Sequence, residues 1–415
     1  MITLVFLIGV LLIFGFAAML FFERTGVSEI IILMVAGILL GPIFGVIDAS
    51  AGSVLAGVAG FMTVLALILM LFDGGLTFEI SGIVRAMPIA FAFTTLAFVI
   101  NMGAIAAVAN LLFGLPWLAA LLLGAALSGT ASSNVIPMMA RSRASEKTKT
   151  ILAIESTITD AFTLIVGLAI LDMMVGNGDI SGAPAKLMGS ITSAAFIGVI
   201  LSGLWVIVLH KLPTMKYSYM LTLAAVFIAY ALSEFFGGNG VIAVFVFGLI
   251  LGNSERIAAL FNLDRKLYGL DPEIRRMQEE ISFLVRTFFF VYLGLLMIGS
   301  TFKETAIFLS VAIVVVSLAA RWFSVRVFAS SIQSNECGLV AMMMPRGLAA
   351  AVLVTIPASK GIVIPYFSET IIISILLTNI VATIGLFIYN RSGNDSSETD
   401  AQPVDAGKPR IIRTK

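Results

Sequence analysis

The chain has 415 residues, 60% of them hydrophobic and 12% charged, with a net charge of +1. Soluble domains are about half apolar and about a quarter charged, so an ordinary soluble fold is excluded and most of the chain belongs in lipid. Near-neutrality carries no basic signature for nucleic acid, and a single cysteine, Cys337, excludes an intrachain disulfide and a cysteine-built metal site.

Apolar runs of about 20 residues, the length a helix needs to cross a bilayer, recur about thirteen times. They lie near 2–20, 28–47, 53–77, 87–113, 116–140, 150–174, 186–210, 217–236, 238–253, 281–299, 304–330, 335–356 and 368–390. The first, MITLVFLIGVLLIFGFAAML, lacks a basic leader and is long enough to span, so it reads as a retained helix and not a cleaved signal. Spans eight and nine are split only by GGNG at 237–240. His210, the single histidine, sits at a segment edge beside Lys211 and reads as an interfacial side chain. Two stretches differ from the rest. Residues 254–280 are charged and partly amphipathic, as expected of a cytoplasmic helix lying at the interface. Residues 391–415 are polar and poor in aromatics, as expected of a disordered tail. The chain thus divides into a transmembrane half, 1–253, the linker 254–280, a second transmembrane half, 281–390, and the tail.

Lysine and arginine set the orientation. The loop RSRASEKTK at 141–149 holds Arg141, Arg143, Lys147 and Lys149, and the positive-inside rule puts it in the cytoplasm. Counting spans outward from it places Arg24, Arg85, Lys211, Lys216, the linker and the C-terminal tail inside. Lys186, Lys303 and Lys360 fall outside, as does the N-terminus.

Few ionisable residues remain at membrane depth: Asp73, Glu155, Asp160, Arg286, Arg321 and Arg346. Each costs from about 2.5 to more than 10 kcal/mol there, so such residues face a cavity or one another. The structural alternative is an acid and an arginine clamping two helices. Asp160 lies ten residues into span six, about 15 Å along the helix and near the midplane. Ser156, four residues earlier, shares its face, while Glu155 and Thr159 share the adjacent one. A carboxylate with hydroxyl and carbonyl oxygens makes a weak site for a hard monovalent cation, and the same carboxylate, partly desolvated, can hold a proton. A group that carries either ion but not both is the chemistry of exchange.

Two helices look interrupted. Span five reads LSGTASSNVIPMMA, with Gly129, Thr130, Ala131, Ser132, Ser133, Asn134 and Pro137 breaking an apolar run; span twelve reads GLVAMMMPRGLAAAVL, with Pro345, Arg346 and Gly347 at mid-depth. Broken helices in corresponding positions of two halves point to a transporter site, whereas small residues alone serve close helix packing.

These segments resemble the monovalent cation/proton antiporter family, in its sodium/proton exchanger and prokaryotic sodium/proton antiporter branch. AGILLGPIFG (36–45), LFDGGLTF (71–78), ESTITD (155–160), RTFFFVYLGLLM (286–297), AARWFSVRV (319–327) and PRGLAAAVL (345–353) follow in the family's order, over spans two to thirteen. The resemblance implies an all-α polytopic membrane protein of inverted repeats. It implies a core domain with two crossed, discontinuous helices, a dimerisation domain, and elevator-like alternating access in a homodimer. It makes Asp160 the ion- and proton-carrying carboxylate and Ser156 a cation ligand, with Thr130 and Thr159 beside them and Asp73 near the cytoplasmic funnel. It pairs Glu155 with an arginine, Arg321 or, as runner-up, Arg346. The expected role is exchange of sodium, or alternatively potassium, for a proton, with no enzymatic activity and no cofactor.

Departures from the pattern matter. The sodium-selective branch usually follows the threonine of the first broken helix with an acid, and here Thr130 is followed by Ala131. The family's asparagine before the aspartate is Thr159. Both changes reduce negative charge or polarity near the ion. With Arg321 where electrogenic members carry lysine, one titrating carboxylate remains, so one cation per proton and electroneutral exchange are expected. A potassium efflux channel or system gated by a separate subunit is the main rival. An intramembrane protease would need a membrane-embedded histidine near a serine, whereas His210 is at an edge, or a Gly-x-Gly-Asp segment, which is absent; a non-transporting membrane subunit leaves the two broken helices unexplained.

Overall fold

The computed structural model describes residues 2–45, 47, 54–77, 88–175, 183–211, 217–260, 272–297, 303–327 and 333–399. Arg85, Lys216, the middle of the linker (261–271) and the end of the tail (400–415) lie outside the described residues, as do the side chains of Lys186 and His210.

The fold is all-helical, with no strand among the described residues. In chain order the helices are α1 (Ile2–Thr25), α2 (Glu29–Ile38), α3 (Val54–Thr77), α4 (Pro88–Leu111), α5 (Trp117–Ala126), α6 (Ser132–Ala140), α7 (Glu146–Val175) and α8 (Ala183–Lys211). There follow α9 (Ser218–Phe235), α10 (Gly240–Gly252), α11 (Ser254–Leu260), α12 (Pro272–Leu295), α13 (Glu304–Val327), α14 (Cys337–Met342), α15 (Leu348–Ser359) and α16 (Phe367–Thr399). Among the described residues six helices are long and apolar enough to cross a membrane, within α4, α7, α8, α9, α13 and α16, and five shorter apolar helices accompany them.

Local chemistry explains the boundaries. Pro42 widens the end of α2 into a π-helical turn over Leu39–Ile43, because its ring removes an N–H that an α-helix would use. The GGNG separator closes α9 with Gly237 at φ +74°. It then opens α10 with Asn239, whose side chain accepts from the N–H of Val241 at 3.1 Å and of Ile242 at 3.4 Å. Span five is interrupted over 127–131 and span twelve over 343–347. Pro137, which the sequence suggests as part of the first break, lies inside α6 instead. It brings no N–H to the carbonyl of Ser133, so the break itself rests on Gly129, Thr130 and Ala131.

Two stretches differ from expectation. The linker is not one interfacial helix: after α11, Pro272–Glu280 form the first turns of α12 and run unbroken into span ten. The polar face of those turns and the apolar face of the span share one helical period, so nothing in the sequence stops the helix. The tail begins as helix too, since α16 continues to Thr399. Residues 391–399 hold neither proline nor a run of glycines to end it.

The helices sort into two bundles. In one, α10 packs on α3 and α8, α12 on α2 and α3, and α9 on α8 and α10. In the other, α4 packs on α5 and α13, α7 on α4, α5 and α6, and α16 on α13, α14 and α15. The packing ignores the division at 254–280, because each bundle draws helices from both sides of it. The bundles meet where α15 lies against α3 and α12, α7 against α3, and α16 against α2.

Inside each bundle, glycines let backbones touch. A side chain at Gly37 would collide with Val291 and Gly294 across the α2–α12 crossing, and one at Gly75 with Phe245, Gly248 and Leu249 across α3–α10. In the second bundle Gly124 meets the Met102 carbonyl, and Gly347 leaves room only for the methyl of Ala131. Small residues of this kind are how membrane helices approach closely.

The second bundle is tied by one buried ion pair. Arg321 on α13 forks onto Glu155 on α7, with Nη1–Oε1 at 2.5 Å and Nη2–Oε2 at 2.9 Å. Its Nε donates to the carbonyl of Val340 in α14 at 3.0 Å. Glu155 is 1% exposed and Arg321 7%. Removing one partner of such a pair leaves the other charge uncompensated at a cost of about 3–5 kcal/mol. Glu155→Gln is therefore expected to lower the unfolding temperature of the detergent-solubilised protein clearly. An unchanged unfolding curve, with an altered ion affinity as the only effect, would contradict a structural role for the pair.

Candidate functional site

The site is built where the two interrupted helices meet. The N–H of Ala131 donates to the carbonyl of Pro345 at 2.8 Å, joining one unwound segment to the other. Each interruption exposes helix ends that carry partial charge: positive at an N-terminus, negative at a C-terminus. Complementary groups meet them. Asp160 of α7 lies at the N-terminus of α6, where its Oδ2 accepts from the N–H of Ser132 at 2.9 Å and from the Ser132 hydroxyl at 2.7 Å. Arg346 reaches back past α5 and donates from Nη1 to the carbonyl of Gly129 at 2.6 Å. Arg321 does the same for α14 through Val340. Arg346 thus makes no ion pair with Glu155; that partner is Arg321.

Five residues separate Glu155 from Asp160, about 140° around a helix. The two acids therefore leave α7 on different sides, one toward α13 and the other toward α3. Asp160 borders a cavity of about 70 Å³ together with Asp73, Ser132, Ser133, Thr157, Ser282 and Arg286. Asp73 comes from α3 and Arg286 from α12, so the cavity lies between the bundles.

The remaining residues singled out in the sequence sit behind this wall. Thr159 and Thr130 hold each other: the N–H of Thr130 donates to Thr159 Oγ1 at 3.0 Å, and the two hydroxyls lie 3.2 Å apart. Ser156 is fully buried and donates to the carbonyl of Ala153 at 3.1 Å. It does not line the cavity, whereas Ser132 and Ser133 do. The i, i+4 spacing placed Ser156 on the right face of α7, but could not show that the half-helix α6 supplies the hydroxyl next to Asp160.

Several polar residues escaped the sequence reading. Glu29, at the start of α2, pairs with Arg286 at 3.2 Å. Its position at a span edge beside Ser28 hid it. Thr378 and Asn379, in the apolar run SILLTNIVATI, bond the backbone of Arg346. A polar pair in the middle of a span was the available signal. A second, larger cavity of about 820 Å³ lies toward the C-terminal end of α7 and is lined by Asp172, Glu234, Asn239, Lys360 and Glu369 among others. There Lys360 pairs with Asp172 at 2.8 Å, and Asn239 of the first bundle donates to Asp172 at 3.4 Å. Asp160 does not border this cavity. Among the described residues no cluster of three or more His, Cys, Asp and Glu side chains could hold a metal ion.

Comparison with known proteins agrees with this architecture. A solved structure of the sodium proton antiporter MjNhaP1 from Methanocaldococcus jannaschii superposes with a TM-score of 0.77 at 22% identity, covering 94% of this chain and 98% of the other. The Na(+)/H(+) antiporter 1 of the same organism is 25% identical over 296 residues, 69% of this chain and 67% of its own. The K(+)/H(+) antiporter NhaP of Alkalimonas amylolytica is 26% identical over 304 residues, and a K(+)/H(+) antiporter NhaP2 of Shewanella is 28% identical over 240. The matched segments cover only 50% and 40% of those two relatives. The profile of the family described as sodium/hydrogen exchanger, transmembrane, matches residues 8–391. That match takes in both interrupted helices and Asp160, and the chain belongs to the transmembrane sodium/hydrogen exchanger family.

Proposed function

We propose that the protein is a secondary transporter that exchanges a monovalent cation for a proton across a membrane, with Asp160 carrying each in turn. One observation carries the reading. A carboxylate at mid-length of α7 sits against the N-terminus of the half-helix α6 and borders a cavity between two separately packed bundles. The Ser132 N–H and hydroxyl, with the helix end behind them, stabilise negative charge on one oxygen. The rest of the group is left for an occupant. A cation that binds there replaces a proton, and a proton that returns expels the cation, because one carboxylate cannot satisfy both.

The cation reaches Asp160 through the cavity that Asp73 helps line, and its oxygen ligands come from Asp160, Ser132 and Ser133. Ser156, Thr130 and Thr159 stand immediately behind as further ligands once their hydroxyls turn. Alternating access follows from movement of the α7 bundle against the α3 bundle. On the side of the larger cavity, such movement parts two polar contacts: Thr63–Thr355 at 3.2 Å and Asn239–Asp172. Glu155, Arg321 and Arg346 take no part in the ion's path; they neutralise one another and the ends of the broken helices.

Exchange is electroneutral, one cation per proton, because a forked arginine does not release its proton. The protein works in a bilayer as a homodimer, with the N-terminus outside and the C-terminus in the cytoplasm, and needs no cofactor. Sodium is the first candidate cargo, in line with the name of the Methanocaldococcus relative. Potassium is the second reading, favoured by Ala131 where an acid would raise the local charge and by the names of the NhaP and NhaP2 relatives.

Asp160→Asn is expected to abolish cation-driven proton movement in proteoliposomes while leaving a folded, extractable protein; exchange at the wild-type rate would refute the assignment. Running the assay with sodium, lithium, potassium and rubidium at several pH values identifies the cargo. Ser132→Ala is expected to raise the half-saturating cation concentration about tenfold or more, since hydrogen bonds to charged groups are worth about 1.5–3 kcal/mol. Ser156→Ala should move it less; the reverse ranking would return Ser156 to the first contact with the ion. An imposed membrane potential should leave the exchange rate unchanged, and a clear voltage dependence would overturn the one-to-one stoichiometry.

A further inference from the structure

Asn379 lies on α16, fully buried, in an otherwise apolar stretch. A primary amide offers two donors and an acceptor oxygen with two lone pairs, and here all are used. Nδ2 donates to the carbonyl of Arg346 at 2.8 Å and to that of Ile375 at 2.8 Å. Oδ1 accepts from the Ser28 hydroxyl at 2.9 Å and from Asn134 Nδ2 at 2.6 Å. The preceding residue, Thr378, accepts from the N–H of Arg346 at 3.2 Å. Two consecutive side chains therefore hold both backbone groups of one residue in the unwound segment 343–347.

That residue matters because unwound backbone within a membrane must find partners from outside its own helix. Asn134 belongs to α6, two positions beyond Ser132, so the Asn379 amide bonds both broken helices at once. Through Ser28 it also reaches the start of α2 in the other bundle. Its action on the ion is indirect, through the placement of the α6 N-terminus against Asp160.

We propose that Asn379, with Thr378, is a positioning residue of the exchanger: it sets the register of the two unwound segments and thereby the cation affinity at Asp160. This inference rests on the antiport reading for its transport readout, and cation binding gives a second readout that does not. Asn379→Asp keeps the shape but turns the donor toward Arg346 into an acceptor; Thr378→Val removes the acceptor for the Arg346 N–H, and Thr378→Ser restores it. The half-saturating concentrations of sodium and potassium chloride are measured at fixed pH in two ways. One is exchange in proteoliposomes; the other is cation-dependent thermal stabilisation of the purified protein. Asn379→Asp and Thr378→Val are expected to raise them about fivefold, the factor of one buried hydrogen bond. Thr378→Ser should match the wild type, with maximal rates per folded molecule changing less than the affinities. Wild-type half-saturation in Thr378→Val would overturn the inference, whatever its yield or stability, and that variant decides the matter if Asn379→Asp does not fold. A wild-type protein that binds the cation without exchanging it would sink the antiport reading alone, since the affinity shift is still read from stabilisation.

Discussion

A break in a membrane helix creates charged ends where no water can cover them, and this constraint organises the molecule. Interrupting spans five and twelve leaves N–H groups at one edge of each gap and carbonyls at the other. Three ionisable side chains are placed to meet them: Asp160 at the start of α6, Arg346 at the carbonyl beyond α5, and Arg321 at the carbonyl end of α14. Glu155 completes the set by balancing Arg321. Of these groups, Asp160 alone borders the cavity between the bundles, while Glu155, Arg321 and Arg346 line only a pocket of about 10 Å³. The chemistry that holds the broken helices together is thus the chemistry that leaves one carboxylate available. The site is the part of the scaffold's charge compensation that faces outward.

Depth and spacing made much of this visible from residue order. Asp160 stood out because an acid ten residues into an apolar span has few structural excuses, and Thr130 and Pro345 fell close to the two breaks. Pro137 misled, since it lies inside α6 and not in the interruption that precedes it. Arg321 and Arg346 both line the small pocket that Glu155 borders, so the choice of its partner turned on which guanidinium is taken up elsewhere: Arg346 goes to the Gly129 carbonyl and Arg321 forks onto Glu155. Ser132 was read as a helix breaker when its hydroxyl is the closest to Asp160. Contacts between elements far apart in sequence carry no local periodicity, and for the same reason Asn379 and Glu29 went unremarked.

Of the two larger cavities described along α7, one borders Asp160 at its mid-length and the other lies toward its C-terminal end. In the larger one, an ammonium group from the loop after α15 is paired with Asp172. Both partners are partly exposed, so solvent and salt weaken the pair. It nevertheless places a tethered positive charge among the acids of that cavity.

The distribution of close backbone contacts has a mechanical consequence. Wherever a described glycine lets two main chains touch, both chains lie in the same bundle: Gly37 with Gly294, Gly75 with Gly248, Gly124 with Met102, Gly129 with Thr159. Main-chain contacts of this kind have a single fitted register, and shifting one by an ångström brings hard atoms into overlap. Between the bundles no described glycine makes such a contact, and polar contacts there run through side chains such as Thr63 with Thr355 and Asn239 with Asp172. The proposed exchange uses this boundary as a slip plane between two stiff blocks, with Asp160 set at its edge.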